Sequence, residues 1–161
     1  MKTALLLPCF TLYAAFMAPA QAQQPITGAV FTTNETCEAV NENIYEKRDL
    51  VFINGGPQHG NSASLPDGWY YVQVTDPSGN EILGVSTGFP MVQVVGGQFA
   101  QCYKLWDLVY KSSDFSQGYD LTANPGKEYK VWISNLPDFP PHFTKTDNFK
   151  VLKPDVEPIP V

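Results

Sequence analysis

The fold class is decided by one stretch of the chain, Trp69-Tyr70-Tyr71-Val72-Gln73-Val74-Thr75-Asp76-Pro77-Ser78-Gly79-Asn80. Successive side chains of a strand point to opposite faces, so its first seven residues predict a strand with Tyr70, Val72 and Val74 turned inward. The other face then carries Trp69, Tyr71, Gln73 and Thr75. The last five residues are turn formers, and they predict a tight turn followed by a partner strand over residues 81–86.

A second stretch repeats this design, Asn124-Pro125-Gly126-Lys127-Glu128-Tyr129-Lys130-Val131-Trp132-Ile133. Tyr129, Val131 and Ile133 are predicted to face inward, which leaves Lys130, Trp132 and Ser134 outward. In both stretches a Pro and a Gly precede a Tyr that opens the strand. Such a tyrosine often hydrogen-bonds back to the preceding loop in Greek-key sandwiches.

Further alternating segments between turn signals predict the remaining strands, at residues 27–33, 43–45, 50–53, 91–95, 98–105 and 148–152. Residues 105–111 fit a helix or a strand. Seven to nine short strands predict an all-β protein, an immunoglobulin-like or prealbumin-like Greek-key β-sandwich.

The composition agrees with one domain of this class. The chain has 161 residues, of which only 16% are charged, with 12 Gly and 14 Pro, as expected for strands joined by many turns. We predict a single sandwich over residues 23–152 and a Pro-rich tail over residues 153–161.

The N-terminus has the three-part layout of a secretory signal over residues 1–22, with Lys2, an apolar run over residues 4–16 and small residues before a cut after Ala22. The apolar run is shorter than the roughly 20 residues that span a bilayer. We therefore expect a secreted protein without a membrane span, located outside the cell, at its surface or in a periplasm. Lipidation at Cys9 is the alternative, disfavoured by Pro8 and by the short apolar region before it.

Charge excludes one class of partner. Without Lys2, nine basic residues stand against sixteen acidic ones, a net charge of −7. Nucleic-acid binding needs a clustered basic face, and Lys47-Arg48 is the only tight basic group. We expect no nucleic-acid partner.

Two cysteines remain after processing, Cys37 and Cys102. Export favours a disulfide between them, and closing a loop of about 65 residues would stabilise the fold by about 4 kcal/mol in the loop-entropy model. Two buried thiols are the alternative.

The residues that carry chemistry are sparse. Only His59 and His142 could serve a histidine-dependent triad, and no cluster has the spacing of a zinc site. Carboxylate pairs such as Asp114 with Asp120 or Asp147 with Asp155 could act as acid and base, but any acidic domain offers such pairs. We predict no catalytic residues, no cofactor and no metal. Calcium at the acidic loops of Asp107, Asp114, Asp120 and Asp138, and a glycan on Asn34, stay open.

Six short segments, spread over almost all of the chain after the signal, resemble a domain of exported bacterial surface proteins of unassigned function: residues 28–33, 40–45, 54–57, 70–79, 129–132 and 146–151. In such proteins this unit is the leading domain, similar in fold to prealbumin-like and collagen-adhesin B-type modules. The resemblance implies a surface role and supplies no catalytic residues. A Lys-to-Asn crosslink, as in adhesin modules, would need a buried Lys, Asn and acid together.

Three function classes follow. The first is a non-catalytic structural or protein-interaction module of the cell exterior. The second is a carbohydrate-binding module, and the third an uncharacterised secreted enzyme. The partner is then an extracellular protein or polysaccharide. The candidate binding face consists of Trp69, Tyr71 and Trp132, unless a segment such as residues 139–143 covers these rings.

Overall fold

The computed structural model describes residues 24–40, 42–57 and 63–155. The predicted signal over residues 1–22, His59 and the end of the predicted tail lie outside the described residues. The described part contains eleven strands: β1 Ala29–Thr33, β2 Ile44–Tyr45, β3 Phe52–Gly56, β4 Gly68–Thr75, β5 Ile82–Val85, β6 Val92–Val95, β7 Gln98–Phe99, β8 Tyr103–Lys104, β9 Tyr110–Lys111, β10 Glu128–Ser134 and β11 Thr144–Val151. A one-turn helix, α1, spans Leu105–Leu108, and 3-10 turns span Arg48–Leu50 and Pro141–Phe143.

The strands form two sheets. The smaller has the order β1-β3-β8, and the larger has the order β2-β11-β10-β4-β5-β9. Strands β6 and β7 form a hairpin, and β6 pairs with the first three residues of β4. Every pairing is antiparallel except that of β2 with β11. At one edge the sheets are tied together, because the Thr32 backbone N–H donates to the Asp147 carboxylate over 2.7 Å.

The structure confirms the all-β sandwich and corrects the strand count of seven to nine. The predicted strand over residues 98–105 is divided, because β7 pairs with β6 while β8 pairs with β3 in the other sheet. Residues 105–111 hold both α1 and β9. Strand β11 begins at Thr144 rather than at residue 148, because it pairs with β10 along its whole length. The immunoglobulin-like and prealbumin-like alternatives stay predictions.

The inward faces of the two diagnostic stretches are as their alternation predicts. Thr75 and Ser134, predicted to face outward, are fully buried, because Trp132 bonds to Thr75 and the Phe143 carbonyl accepts from Ser134. The predicted inward residues are at most 1% exposed, and together they form the centre of the core: Tyr70, Val72, Val74, Tyr129, Val131 and Ile133. The opening tyrosines also bond to the preceding loops. The Tyr70 hydroxyl donates to the Pro66 carbonyl over 2.7 Å, and the Tyr129 hydroxyl accepts from the Thr122 N–H. Burial raises the pKa of Tyr70 to about 12.

A buried arginine holds one end of the core. Arg48 is 1% exposed, and its Nη1 donates to the Tyr119 carbonyl over 2.5 Å. The Tyr119 hydroxyl donates back to the Arg48 carbonyl over 3.0 Å. The guanidinium carbon lies 5.1 Å from the centre of the Trp106 ring, a distance at which cation and ring attract. Arg48 of the Lys47-Arg48 pair is therefore buried and does not contribute to a basic surface.

The turn after β4 is organised by one carboxylate. The Asp76 side chain accepts from the N–H groups of Asn80 and Glu81 and from Ser78. These bonds, chiefly that from the Glu81 N–H and then those from Ser78, lower the pKa of Asp76 to about 2. Hydrogen bonds to the charged form favour that form.

We expect this turn to contribute acid sensitivity. Because the folded pKa lies below the ordinary 3.8, the stabilisation is present above that value and is lost as the pH falls towards 2. Unfolding midpoints measured across this window should fall more steeply for the native protein than for Asp76→Asn. Parallel curves would show that the carboxylate does not hold the turn.

Candidate functional site

The predicted disulfide joins Cys37 and Cys102. Their Cα atoms lie 5.8 Å apart and the sulfur–sulfur distance is 2.08 Å. Cys37 follows β1 and Cys102 precedes β8, so the bridge joins the connections at both edges of the smaller sheet. The bond is a structural crosslink, and it occupies both thiols that remain after the predicted signal.

Trp69, Tyr71 and Trp132 all lie on the outer face of the larger sheet. Trp69 and Tyr71 alternate with buried residues of β4, and Trp132 is the cross-strand partner of Gln73. Trp69 is 53% exposed, whereas Tyr71 and Trp132 are half-buried. The outward direction of all three follows the sequence prediction.

The Trp132 ring nevertheless points away from the other two rings. Its Nε1 donates to the Thr75 hydroxyl over 2.9 Å, and its six-membered ring lies against Gly79 of the turn. Thr75 is fully buried. The Lys130 ammonium lies 5.4 Å from the ring centre. The structure therefore brings Trp69 and Tyr71 to one end of β4 and directs the Trp132 ring to the other.

We expect Trp132→Ala to act on stability. The substitution removes the bond to Thr75 and the packing on Gly79, and we expect a loss of about 2 kcal/mol, less than for a fully buried tryptophan. Chemical denaturation measures it. A free energy of unfolding within about 0.5 kcal/mol of the native value, as for ordinary surface substitutions, would show that the ring does not contribute to stability.

Strand β6 adds residues that the sequence analysis missed. Trp69 is paired with Gln93, and Val95 follows two positions later on the same side. Val95 is 53% exposed and Gln93 is half-buried. We call the surface of Trp69, Tyr71, Gln93 and Val95 the β4–β6 face. The alternation of residues 91–95 predicted the strand, but the sequence held no sign that it would lie beside Trp69.

The tip of this hairpin is held by a carboxylate. Asp67 accepts from the Gly97 N–H over 2.8 Å and from the Gly96 N–H over 3.1 Å. Each carboxylate oxygen is thereby engaged. Phe89, which is 73% exposed, lies in the connection that leads into β6. The β4–β6 face thus presents two aromatic rings, an aliphatic side chain and one amide. The nearby Asp67 carboxylate already accepts backbone hydrogen bonds.

The carboxylates of the acidic loops likewise accept hydrogen bonds from other residues of the chain. The Asp114 carboxylate accepts from the Ser116 N–H and hydroxyl, which lowers the pKa of Asp114. Asp120 accepts from the Ser113 N–H and hydroxyl. Asp147 is bonded to Thr32. Within residues 24–40, 42–57 and 63–155, no group of three or more His, Cys, Asp or Glu side chains is placed to hold a metal ion.

Two other candidates can be located. The Asn34 side-chain oxygen accepts from the Thr36 N–H and hydroxyl, so the predicted glycan acceptor forms a local turn. The buried polar and charged residues of the described part are Thr32, Thr33, Arg48, Thr75, Ser86 and Ser134. None of these is a lysine, so the described part lacks the buried lysine that an adhesin-type crosslink needs.

Comparison of the chain with protein families, with curated proteins and with solved structures finds no match. The resemblance to the leading domain of exported surface proteins therefore stays a prediction. None of the described helices is long and apolar enough to cross a membrane.

Proposed function

We propose that this chain is a non-catalytic protein-interaction module of the cell exterior and that the β4–β6 face is its contact surface. The observation that carries the proposal is the exposure of Trp69 beside Val95, each 53% exposed. Tryptophan is enriched among the residues that dominate binding energy at protein interfaces. An exposed apolar cluster on a soluble domain commonly marks an interaction site.

The chemistry of the face favours a protein partner over a sugar. Sugar sites combine a stacking ring with polar groups that receive the hydroxyls, and the Asp67 carboxylate beside this face already binds Gly96 and Gly97. The other indole on the outer face, Trp132, donates its N–H to Thr75 and has the Lys130 ammonium over its ring. An aliphatic neighbour such as Val95 suits an apolar protein surface.

The exterior location is supported by two independent features. Disulfides persist in oxidising compartments, and the bridge between Cys37 and Cys102 is formed. The signal layout over residues 1–22 points the same way. We therefore expect the mature chain to start at Gln23, which intact-mass analysis of the exported protein would show.

The test is a capture experiment with matched variants. The mature domain, Trp69→Ala and Ile82→Ala are immobilised and exposed to surface proteins of the source organism, and in parallel to a glycan array. Ile82 is a suitable control because it is exposed and lies on β5, outside the β4–β6 face. We expect a protein retained by the native domain and by Ile82→Ala but not by Trp69→Ala, with an empty array. A glycan bound through Trp69, or equal capture by all three, would contradict the proposal.

A further inference from the structure

A groove of about 350 Å³ is lined by the connection from β1 to β2 and by the segment that runs from β2 through the first 3-10 turn into β3. Its apolar side chains are those of Ile44, Tyr45, Leu50 and Phe52. Ile44 is 59% exposed and Leu50 is 45% exposed, and Phe52 is half-buried. The groove therefore keeps apolar area in contact with water, and a bound partner would gain by covering it.

The wall of the groove that precedes β2 is fixed to the rest of the domain. The disulfide ties Cys37 in this connection to Cys102 before β8. The hydroxyl of the fully buried Thr33 donates to the Ala39 carbonyl in the same connection. A wall that is already held in place loses little conformational freedom when a partner binds, which lowers the cost of binding.

Three carboxylates line the same groove, and none of the described residues that line it is a cation apart from them. Glu35 and Glu42 belong to the wall, and Glu46 follows β2. Lys153 pairs with Glu46. Within residues 24–40, 42–57 and 63–155, no hydrogen bond or ion pair engages the carboxylates of Glu35 and Glu42. Burial raises the pKa of the Tyr45 hydroxyl, and the Glu42 charge acts in the same direction, so this charge reaches the floor of the groove.

We propose that this groove binds a protein segment in which a lysine or arginine stands beside an apolar side chain. The apolar side chain would cover Ile44 and Leu50, and the cationic group would lie at Glu35 and Glu42. Lysine and arginine suit such a groove, because their stems bury along apolar surface while the charged head stays outside it. The carboxylates are not placed to hold a metal ion together, and their charge disfavours an acidic partner. The groove is separate from the β4–β6 face, and neither site depends on the other.

The experiment is a selection from a phage-displayed library of random linear peptides. The target is the purified Trp69→Ala protein, so that peptides which need this ring of the β4–β6 face are not enriched. The Kd of each enriched peptide is then measured for the native protein, for the double variant Glu35→Gln/Glu42→Gln, for Leu50→Ala and for Glu38→Gln. Glu38 is the matched control, because it is exposed in the same connection and does not line the groove.

We expect lysine or arginine beside an apolar residue in the enriched peptides. The double variant should weaken their binding roughly tenfold or more, and Leu50→Ala should weaken it less, while Glu38→Gln should bind as the native protein does. Added NaCl should weaken binding to the native protein, because salt screens exposed charges. The double variant should have lost most of this salt dependence.

Three results would overturn the proposal. The first is a selection that enriches no peptide, and the second is a set of peptides that bind the double variant and Leu50→Ala as tightly as the native protein. The third is equal weakening by Glu38→Gln and by the double variant, which would show that only the net charge of the protein matters. If Leu50→Ala does not fold, the double variant and the salt dependence decide the outcome.

Discussion

Replacing Arg48 by alanine should lower the free energy of unfolding by about 3–5 kcal/mol, the range for removing one partner of a buried charged network or for large core truncations. Arg48 is 1% exposed. Its loss would leave the Tyr119 carbonyl without the Nη1 donor and would empty the space beside the Trp106 ring. Denaturant unfolding of the purified domain measures the effect.

Two variants separate the reasons for this loss. Arg48→Met keeps most of the volume without the charge, so we expect a smaller loss than for alanine. Arg48→Lys keeps the charge but lacks the planar guanidinium that reaches Tyr119 and faces Trp106. We therefore expect its free energy of unfolding to be lower than that of the native protein. If the free energy of unfolding of Arg48→Ala lies within about 0.5 kcal/mol of the native value, as for ordinary surface substitutions, the arginine does not organise this end of the core.

The second large effect should come from the disulfide. Replacing Cys37 and Cys102 together by serine opens a loop with a sequence separation of 65 residues. The loop-entropy model then gives a loss of about 4 kcal/mol, acting mainly through the unfolded chain. The comparison of denaturation curves for the native and double-serine proteins under non-reducing conditions measures it.

Reduction supplies the matched control for the disulfide. A thiol reductant should lower the stability of the native protein by a similar amount and leave the double-serine variant unchanged. A native protein that is insensitive to reductant while its thiols react freely would contradict the role given to the bridge.

Most of the fold could be predicted because local patterns determine it. The alternation around Tyr70 and Tyr129 predicted both central strands and their buried faces. The first half of β11 was missed because Lys145 and Asp147 point inward where apolar residues are expected. Arg48 could not be predicted as buried either, since its burial depends on Tyr119 and Trp106, which lie far along the chain.

The candidate site was predictable only in part. Period-two alternation determined that Trp69, Tyr71 and Trp132 face outward, but it contains no information about side-chain rotamers. The Trp132 ring turns towards Thr75 because that hydroxyl accepts its N–H. Gln93 and Val95 lie near Trp69 because β6 pairs with β4. This pairing is a tertiary interaction that neither segment specifies alone.

We propose that Trp69 on the β4–β6 face, and not Trp132, carries binding. The most direct measurement is the Kd of the captured partner for the native domain, Trp69→Ala and Trp132→Ala, each confirmed to be folded. We expect Trp69→Ala to weaken binding roughly tenfold or more, about 1.4 kcal/mol, and Trp132→Ala to bind as the native domain does. A partner that loses affinity for Trp132→Ala and keeps it for Trp69→Ala would show that binding does not depend on the β4–β6 face.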